Sequence, residues 1–207
     1  MEKQRRSSGK PPIPQFFDPD EPISNMSGNL PHWRQDGTMY FVTFRLADSM
    51  PQEKLDLWMK DREAWHKAHP EPHDEKAKRE YSRLFPERFQ KWLDAGYGEC
   101  ILARNEVRIL VENALRHFAG LRYDLDEFSV MPNHVHVLVI PYANYDLSKI
   151  THSWKSYTSH RINEMLKRKG TVWQRESFDH IVRSPEQLAK IRRYIRENPG
   201  GTAFRGL

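Results

Sequence analysis

Residues 130–140 form an apolar run that is interrupted by two histidines, His134 and His136. Side chains alternate between the two faces of a β-strand, so both histidines point to one face and the valines beside them point to the other. A His-x-His pair on a rigid strand offers two nitrogen ligands to one metal ion. Two half-buried polar residues would give the same pattern, so a metal site is predicted only if the chain supplies further ligands.

The composition predicts a soluble, globular chain that fills one ordinary domain. Of its 207 residues, 38% are hydrophobic and 29% are charged. Its one cysteine, Cys100, excludes an internal disulfide and gives no support to a cysteine-built zinc site. No apolar run has the length of a membrane span, and the first residues lack the apolar core of a signal peptide, so we expect a cytoplasmic protein without membrane contact. The net charge of +5 favours an anionic partner, of which nucleic acid is the commonest.

The chain divides into a tail and one domain. Residues 1–34 are rich in proline and serine and carry several basic residues, which predicts a flexible basic tail. The domain, residues 35–207, opens with a strand over 38–46 that is rich in β-branched and aromatic residues. A charged helical insertion over about 51–95 follows, and we interpret it as a solvated helical pair held by a stripe of apolar residues.

The rest of the domain alternates regular elements. Helical spacing predicts a helix over 105–117, and strands over 123–131 and 134–140 form a hairpin about a Pro-Asn turn. A long helix over 146–169, an extended segment within 171–182 and a last helix capped by Ser184 complete the chain. This order predicts an α+β protein, a ferredoxin-like split βαβ sandwich whose antiparallel sheet carries helices on one face.

The last helix adds two residues that suit the histidine pair. Tyr194 and Asn198 are four apart, so they lie on one side of the helix. A tyrosine can act as a covalent nucleophile, and an asparagine oxygen can bind a hard cation. Arg192, Arg193 and Arg196 are in the same turns; nearby cations favour the phenolate and hold phosphates. A packing tyrosine beside solvated arginines is the alternative interpretation.

Together these features resemble a known family. The run MPNHVHVL at 131–138 resembles the His-hydrophobic-His motif of the single-tyrosine transposases of the insertion-sequence 200-like group, which are HUH endonucleases. The runs WQRESFDH at 173–180 and YIRENP at 194–199 resemble the branch called REP-associated tyrosine transposases. The resemblance covers about residues 38–200, and the long charged insertion is a departure from it.

The resemblance implies a function and a set of site residues. It implies a ferredoxin-like fold, a divalent metal (Mg²⁺ or Mn²⁺), and cleavage and joining of single-stranded DNA at hairpins through a 5′-phosphotyrosine. By position, His134 and His136 match the metal-binding histidines, Tyr194 the nucleophile and Asn198 the third ligand. Both monomers and homodimers are compatible with the resemblance.

Several alternatives stay open. Tyr157 is a rival nucleophile on the basic helix, and Tyr142 and Tyr145 are weaker ones. A silent, domesticated protein that binds DNA or RNA hairpins, or a metal-dependent hydrolase without a covalent step, would also fit the scaffold. Beyond the three arginines of the last helix, the candidate DNA-binding residues are Lys149, Lys155, Arg161, Arg175, His180, and the tryptophans Trp154 and Trp173, which could stack on bases.

Overall fold

The computed structural model describes residues 16–18, 20, 24–26, 32–70, 74–198 and 201–202. In these parts of the chain the strands are β1 (Ser24–Met26), β2 (His32–Arg34), β3 (Tyr40–Arg45), β4 (Tyr123–Val130), β5 (His134–Pro141), β6 (Phe178–Ile181) and β7 (Gly201–Thr202). The helices are α1 (Gln52–Ala68), α2 (Glu75–Ser82), α3 (Arg88–Asp94), α4 (Asn105–Arg116), α5 (Leu147–Met165) and α6 (Pro185–Glu197).

The main sheet is antiparallel, with the strand order β6-β3-β5-β4-β7. The elements β3, α4, β4, β5, α5 and β6 follow one another as βαββαβ, which is the split βαβ arrangement that the sequence predicts. The predicted hairpin is also present, since β4 pairs with β5 across a short turn. The predicted α+β, ferredoxin-like fold class is therefore confirmed.

Helices cover both faces of the sheet. On one face, α4 and α5 pack their apolar residues against Val42, Val135 and Val137. On the other face, α6 packs Leu188 and Ile195 against a second cluster of strand residues, which are Met39, Phe41, Leu138 and Ile140. The prediction that the helices lie on one face is thus wrong for α6. The inner strands are apolar on both faces, so the amphipathic α6 buries its stripe on the face that α4 and α5 leave open.

Strand β4 contains one extra residue relative to β5. Leu125 pairs with Val139 and Phe128 with Val137, so β4 advances three residues where β5 advances two. This is a β-bulge, and Asp126 and Glu127 together stand opposite Leu138. Because Leu138 faces α6, both carboxylates of the bulge lie on the α6 side of the sheet.

The insertion after β3 has an aromatic core of its own. Trp58 of α1 contacts Phe85 and Phe89, with ring centroids 6.0 and 5.2 Å apart, and Trp65 contacts Tyr81 at 5.0 Å. A π-helical stretch, Arg83–Glu87, which contains a proline, separates α2 from α3. The insertion thus has the predicted stripe of packed apolar residues. It also contacts the site of the two histidines, as described below.

The predicted flexible tail, residues 1–34, lies largely outside the described residues. Of the part described, β1 and β2 form an antiparallel pair, and the amide of Phe17 donates a hydrogen bond to the carbonyl of Val182. Among the described helices, none combines the length and apolar character that crossing a membrane requires.

Candidate active site

The two motif histidines are fully buried side by side on β5. His134 pairs with Arg45 of β3 and His136 with Thr43, so all four side chains lie on the face that α6 covers. The Nε2 atoms of the two imidazoles are 3.0 Å apart. Burial lowers the pKa of His134 from its ordinary value to about 3, and burial and the neighbouring His134 lower the pKa of His136 as well. Both rings are therefore neutral near pH 7 and can act as ligands.

Asn133 fixes which nitrogen of His134 carries the proton. The Asn133 amide nitrogen donates to the carbonyl of Tyr97 at 3.0 Å, which turns its oxygen toward His134 Nδ1, 2.7 Å away. An amide oxygen only accepts, so His134 Nδ1 is the donor and Nε2 keeps its lone pair. The loop that presents Tyr97 depends on Gly98 (φ +91°), where a Cβ atom would lie 2.6 Å from the carbonyl oxygen of Asp48.

Thr43 supports His136 in the same way. Its hydroxyl is 2.8 Å from His136 Nδ1. When His136 donates from Nδ1 to this hydroxyl, its Nε2 also presents a lone pair toward His134. Two lone pairs 3.0 Å apart repel unless a proton or a cation lies between them.

Tyr194 lies directly against this pair. Its hydroxyl oxygen is 3.2 Å from His136 Nε2 and donates toward Asp94 Oδ1 at 3.4 Å. The pKa of Tyr194 is raised above its ordinary value, first by burial and then by the negative charge of Asp94, while the Asn198 amide opposes the rise. A half-buried phenol with a raised pKa is protonated at neutral pH, so it needs a proton acceptor or a nearby cation before it can attack as a nucleophile.

Asp94, the last residue of α3, brings a carboxylate to the site. Its Oδ1 is 3.7 Å from His134 Nε2, and its side chain is 36% exposed. Ligand atoms of Asp94, His134 and His136 lie within 4.8 Å of one another, which is close enough to share one metal ion. The carboxylate stands at the open edge of a buried histidine pair, so the cluster is reachable from solvent.

Asn198, the predicted third ligand, ends α6 beside Tyr194. Its backbone amide donates to the carbonyl of Tyr194, so Asn198 is the C-cap residue of α6. Its side-chain amide is near enough to the Tyr194 oxygen to oppose the rise in that residue's pKa. Even so, Asn198 Nδ2 is buried without a hydrogen bond of ordinary geometry to any described residue.

These groups fit a divalent cation. Two ligands at right angles, each about 2.1 Å from a metal, lie about 3.0 Å apart. This matches the spacing of the two histidine nitrogens. Two neutral imidazoles, one carboxylate and one amide form a donor set of mixed nitrogen and oxygen ligands, which can bind a divalent cation and lacks the thiolates of a soft-metal site.

Comparison with known proteins agrees with this geometry. Residues 102–198 match the family model described as transposase IS200 like. Over these residues the chain is similar to the IS200-like transposases. The recognition made from the motifs is thereby confirmed. No curated protein matches the chain significantly.

Two solved structures resemble the chain at low sequence identity. One is described as the structure of the REP associates tyrosine transposase bound to a REP hairpin; it is 15% identical, with a TM-score of 0.44, and the match covers 84% of this chain and 73% of that one. The other is a putative transposase from Deinococcus radiodurans R1, 14% identical with a TM-score of 0.41, covering 76% of this chain and 88% of that one.

Two of the three predicted DNA-binding arginines on α6 form ion pairs with carboxylates of the protein. Arg192 Nη2 is 2.5 Å from Asp126 Oδ2, and Arg196 forms an ion pair with Glu127. Both carboxylates belong to the bulge of β4, so these ion pairs hold α6 on the sheet. Arg193 is exposed and makes no ion pair with any described residue.

The predicted DNA-binding residues of α5 lie on the opposite face from the histidine side chains. Lys155 Nζ donates to the carbonyl of Arg175, and burial lowers the pKa of Lys155 to about 8. Arg161 pairs with Glu164 at 2.5 Å, and Lys149 is exposed. The sheet therefore separates these cations from the Tyr194 hydroxyl, and the structure does not bring the two sets together.

The two tryptophans are core residues. Trp154 is 3% exposed and donates to the Tyr123 hydroxyl at 2.8 Å, while Trp173 is 4% exposed and donates to Thr158 Oγ1 at 2.9 Å. The expectation that they stack on bases is wrong, because each indole face is already packed and each N–H is satisfied within the protein.

The remaining predicted residues lie at varied distances from the site. His180 is on the same face as His136, but Phe41 lies between them. The Phe41 ring centroid is 5.5 Å from that of His180 and 5.2 Å from that of His136. The rival nucleophile Tyr157 is 53% exposed on α5, on the far side of the sheet. Tyr142 and Tyr145 lie at and beyond the other end of β5, where the Tyr142 hydroxyl bonds to Asp124. Arg175 is exposed.

Sequence reasoning missed three residues of the site. Asn133 stands directly before the histidine pair, so its place in the motif was a usable signal. Thr43 was a polar residue in an apolar strand. Asp94 carried no signal, because it is one of many charged residues in the insertion.

Proposed function

We propose that this chain is a metal-dependent tyrosine transposase that nicks and joins single-stranded DNA through a covalent Tyr194–DNA intermediate. The observation that supports this most directly is the contact of 3.2 Å between the Tyr194 hydroxyl and His136 Nε2, in a chain whose residues 102–198 are similar to a transposase family. A tyrosine used only for packing would not need its hydroxyl against a buried pair of neutral histidines and a carboxylate.

His134, His136 and Asp94 would hold the metal, with Asn198 as a further oxygen ligand. Mg²⁺ or Mn²⁺ bound there would neutralise charge on a phosphate and polarise it for attack. The hydrogen bonds of His134 Nδ1 to Asn133 and of His136 Nδ1 to Thr43 aim the two Nε2 atoms at each other, while burial keeps both imidazoles neutral.

The chain's own residues account for the covalent step. The Tyr194 oxygen attacks the phosphorus, the bond from phosphorus to the 3′ oxygen breaks, and the 5′ phosphate remains on Tyr194. Asp94 accepts the hydroxyl hydrogen bond at 3.4 Å through Oδ1, so one oxygen of this carboxylate is placed to take the phenol proton while the other would bind the metal. The departing 3′ oxygen gains a proton and becomes a free hydroxyl. The reverse attack by a 3′ hydroxyl joins DNA and restores Tyr194 without an external energy source.

The substrate class follows from the motif resemblance: single-stranded DNA that carries hairpins. In the chain as described, Tyr194 contacts His136 of its own chain, so one chain brings the tyrosine and the histidine pair together. This arrangement supports a monomer that acts in cis, or a homodimer whose two sites are independent.

The test is covalent capture of a hairpin oligonucleotide. The protein is incubated with a 5′- and 3′-labelled single-stranded hairpin DNA and Mn²⁺, and products are resolved under denaturing conditions. We expect a protein–DNA adduct that is absent with EDTA and absent in Tyr194→Phe. Tyr157→Phe is the matched control, because it removes a hydroxyl from an exposed tyrosine elsewhere, and it should keep the adduct at the wild-type level.

Other outcomes point to other functions. Cleavage without an adduct would indicate a hydrolase that uses the metal alone. Tight hairpin binding with neither cleavage nor adduct would indicate a silent hairpin-binding protein. An adduct lost in Tyr157→Phe and kept in Tyr194→Phe would contradict the assignment of the nucleophile.

A further inference from the structure

Arg45 is a half-buried arginine beside the histidine pair. It ends β3 directly opposite His134 on β5, and cross-strand neighbours of this kind project from the same face with their Cβ atoms about 5 Å apart. Its guanidinium thus belongs to the face that carries Thr43, His136 and Tyr194. Neither the motifs nor the family match draws attention to it, since it precedes residues 102–198.

The surroundings of Arg45 hold the side chain without neutralising it. One nitrogen, Nη1, donates to the buried hydroxyl of Ser49 at 3.2 Å, and the guanidinium carbon lies 5.3 Å from the centroid of Phe89 in the insertion. Arg45 makes no ion pair with any described carboxylate. A guanidinium has five N–H donors, so most of its hydrogen-bonding capacity is unused here.

Other arginines of the chain show what a purely structural role looks like. Arg34 pairs with Asp179 at 2.5 Å, and Arg192 and Arg196 pair with the bulge carboxylates. Each of these cations has an anion of the protein at hand. Arg45 is desolvated enough that its pKa falls to about 10, yet no described anion compensates it. An anionic ligand at this face would supply the missing partner.

We propose that Arg45 binds the phosphodiester group that Tyr194 attacks, with its guanidinium fork directed to the non-bridging phosphate oxygens. The inference rests on the proposed function, because it takes the phosphate to lie at the histidine pair. Arg45 and a metal held by the histidines would then neutralise the phosphate together. Phe89 and Ser49 hold the fork in place before DNA arrives, so little side-chain freedom is lost on binding.

The test compares Arg45→Gln with Arg62→Gln. Arg62 is a matched control because it also lies over an aromatic ring, that of Trp58 at 5.6 Å, and also bonds to a hydroxyl, that of Tyr81, but it belongs to the insertion's own core. The readouts are the single-turnover rate of adduct formation with a labelled hairpin oligonucleotide, Mn²⁺ affinity by calorimetry, and the melting temperature.

We expect Arg45→Gln to slow adduct formation by about 100-fold. Its Mn²⁺ affinity should stay within about twofold of wild type, since a cation near the site is not a ligand. Arg45→Lys should recover part of the rate, because it keeps the charge and loses the fork. An unchanged rate in Arg45→Gln would overturn the proposal, as would a slower rate that is matched by an equal loss of Mn²⁺ binding or by equal slowing in Arg62→Gln.

The two proposals fail in different ways. If the wild-type protein forms no adduct, the covalent mechanism fails, and Arg45 is then judged by equilibrium binding of the same oligonucleotide in Mn²⁺. Affinity at least about tenfold weaker in Arg45→Gln than in Arg62→Gln supports a phosphate contact at Arg45. Equal affinities in the two variants would show that Arg45 has only a structural role.

Discussion

His180 makes the folded state sensitive to acid without belonging to the proposed metal site. Burial, and secondarily Arg183, lower the pKa of His180 from 6.5 to about 4, although Asp179 acts in the opposite direction. Between these two pH values the unfolded chain binds more protons than the folded chain. Stability from this residue is therefore fully present above pH 6.5 and is lost as the pH falls toward 4.

We expect His180→Gln to flatten the pH dependence of unfolding in this window. Between pH 6.5 and pH 4, the free energy of unfolding should fall by about 2 kcal/mol less in His180→Gln than in the wild-type protein. The measurement is urea denaturation at a series of pH values, with His160→Gln on the exposed side of α5 as the control. An identical slope in His180→Gln and wild type would show that His180 is not the group responsible.

Helix α6 carries the proposed nucleophile, and two ion pairs fix its position on the sheet. Arg192 and Arg196 reach Asp126 and Glu127, and the Glu127 residue is only 6% exposed. Removing one partner leaves a largely buried carboxylate without its counter-charge, which costs more than the loss of a surface ion pair. The arginines that the sequence suggested for DNA thus act first on the placement of Tyr194.

Arg196→Gln should destabilise the protein by about 1–2 kcal/mol, whereas Arg193→Gln should change stability by less than about 0.5 kcal/mol. Arg193 is the matched control, because it is on the same helix, is exposed, and has no described ion-pair partner. Chemical denaturation measures both values. Equal effects of the two substitutions would mean that the Glu127 ion pair does not hold α6.

The regular elements were predictable because local patterns determine them. Helix α6 begins where Ser184 accepts a hydrogen bond from the amide of Gln187, as its capping sequence predicts. Strand β5 and its hairpin follow from an apolar run behind a Pro-Asn turn. The face that α6 covers follows only from the motif resemblance, which sets Tyr194 with His134 and His136, because β5 is buried on both sides and its pattern does not select one.

The parts of the site that were missed depend on contacts between residues far apart in sequence. Asp94 and His134 are distant along the chain, and nothing in a charged helix marks which carboxylate meets a histidine. The bulge of β4 is equally invisible, since Asp126 and Glu127 resemble ordinary exposed strand residues. Tryptophan is common both in cores and at binding surfaces, so burial of Trp154 and Trp173 needed the packed structure to be seen.

At the scale of the whole molecule, Asp94 joins the helical insertion to the sheet. The insertion packs largely within itself, and through Asp94 it contributes a carboxylate beside His134. A metal bound by Asp94 and the histidines would therefore tie α3 to β5. Metal binding should then restrict opening of the end of α3, although that helix is not part of the sheet.

We expect Mn²⁺ to slow amide hydrogen exchange in α3 by at least about tenfold, with little change in α5 on the far side of the sheet. Asp94→Asn should remove this protection and weaken Mn²⁺ binding by at least about tenfold. Exchange followed by mass spectrometry, with calorimetry for the metal, measures both. Protection of α3 that persists in Asp94→Asn would show that the insertion responds to metal through other contacts.

The extra residue in β4 would make the proposed cleavage sensitive to chain length at a position that supplies no ligand. Without the bulge, side chains would alternate regularly between Leu125 and Phe128, and only one carboxylate could face α6. Deleting Asp126 or Glu127 would leave His134, His136 and Asp94 in place while the helix that bears the tyrosine lost one of its two anchors. A one-codon deletion there would thus separate metal binding from strand cleavage. Relatives that share every site residue but differ in length at this strand would then differ in nicking rate.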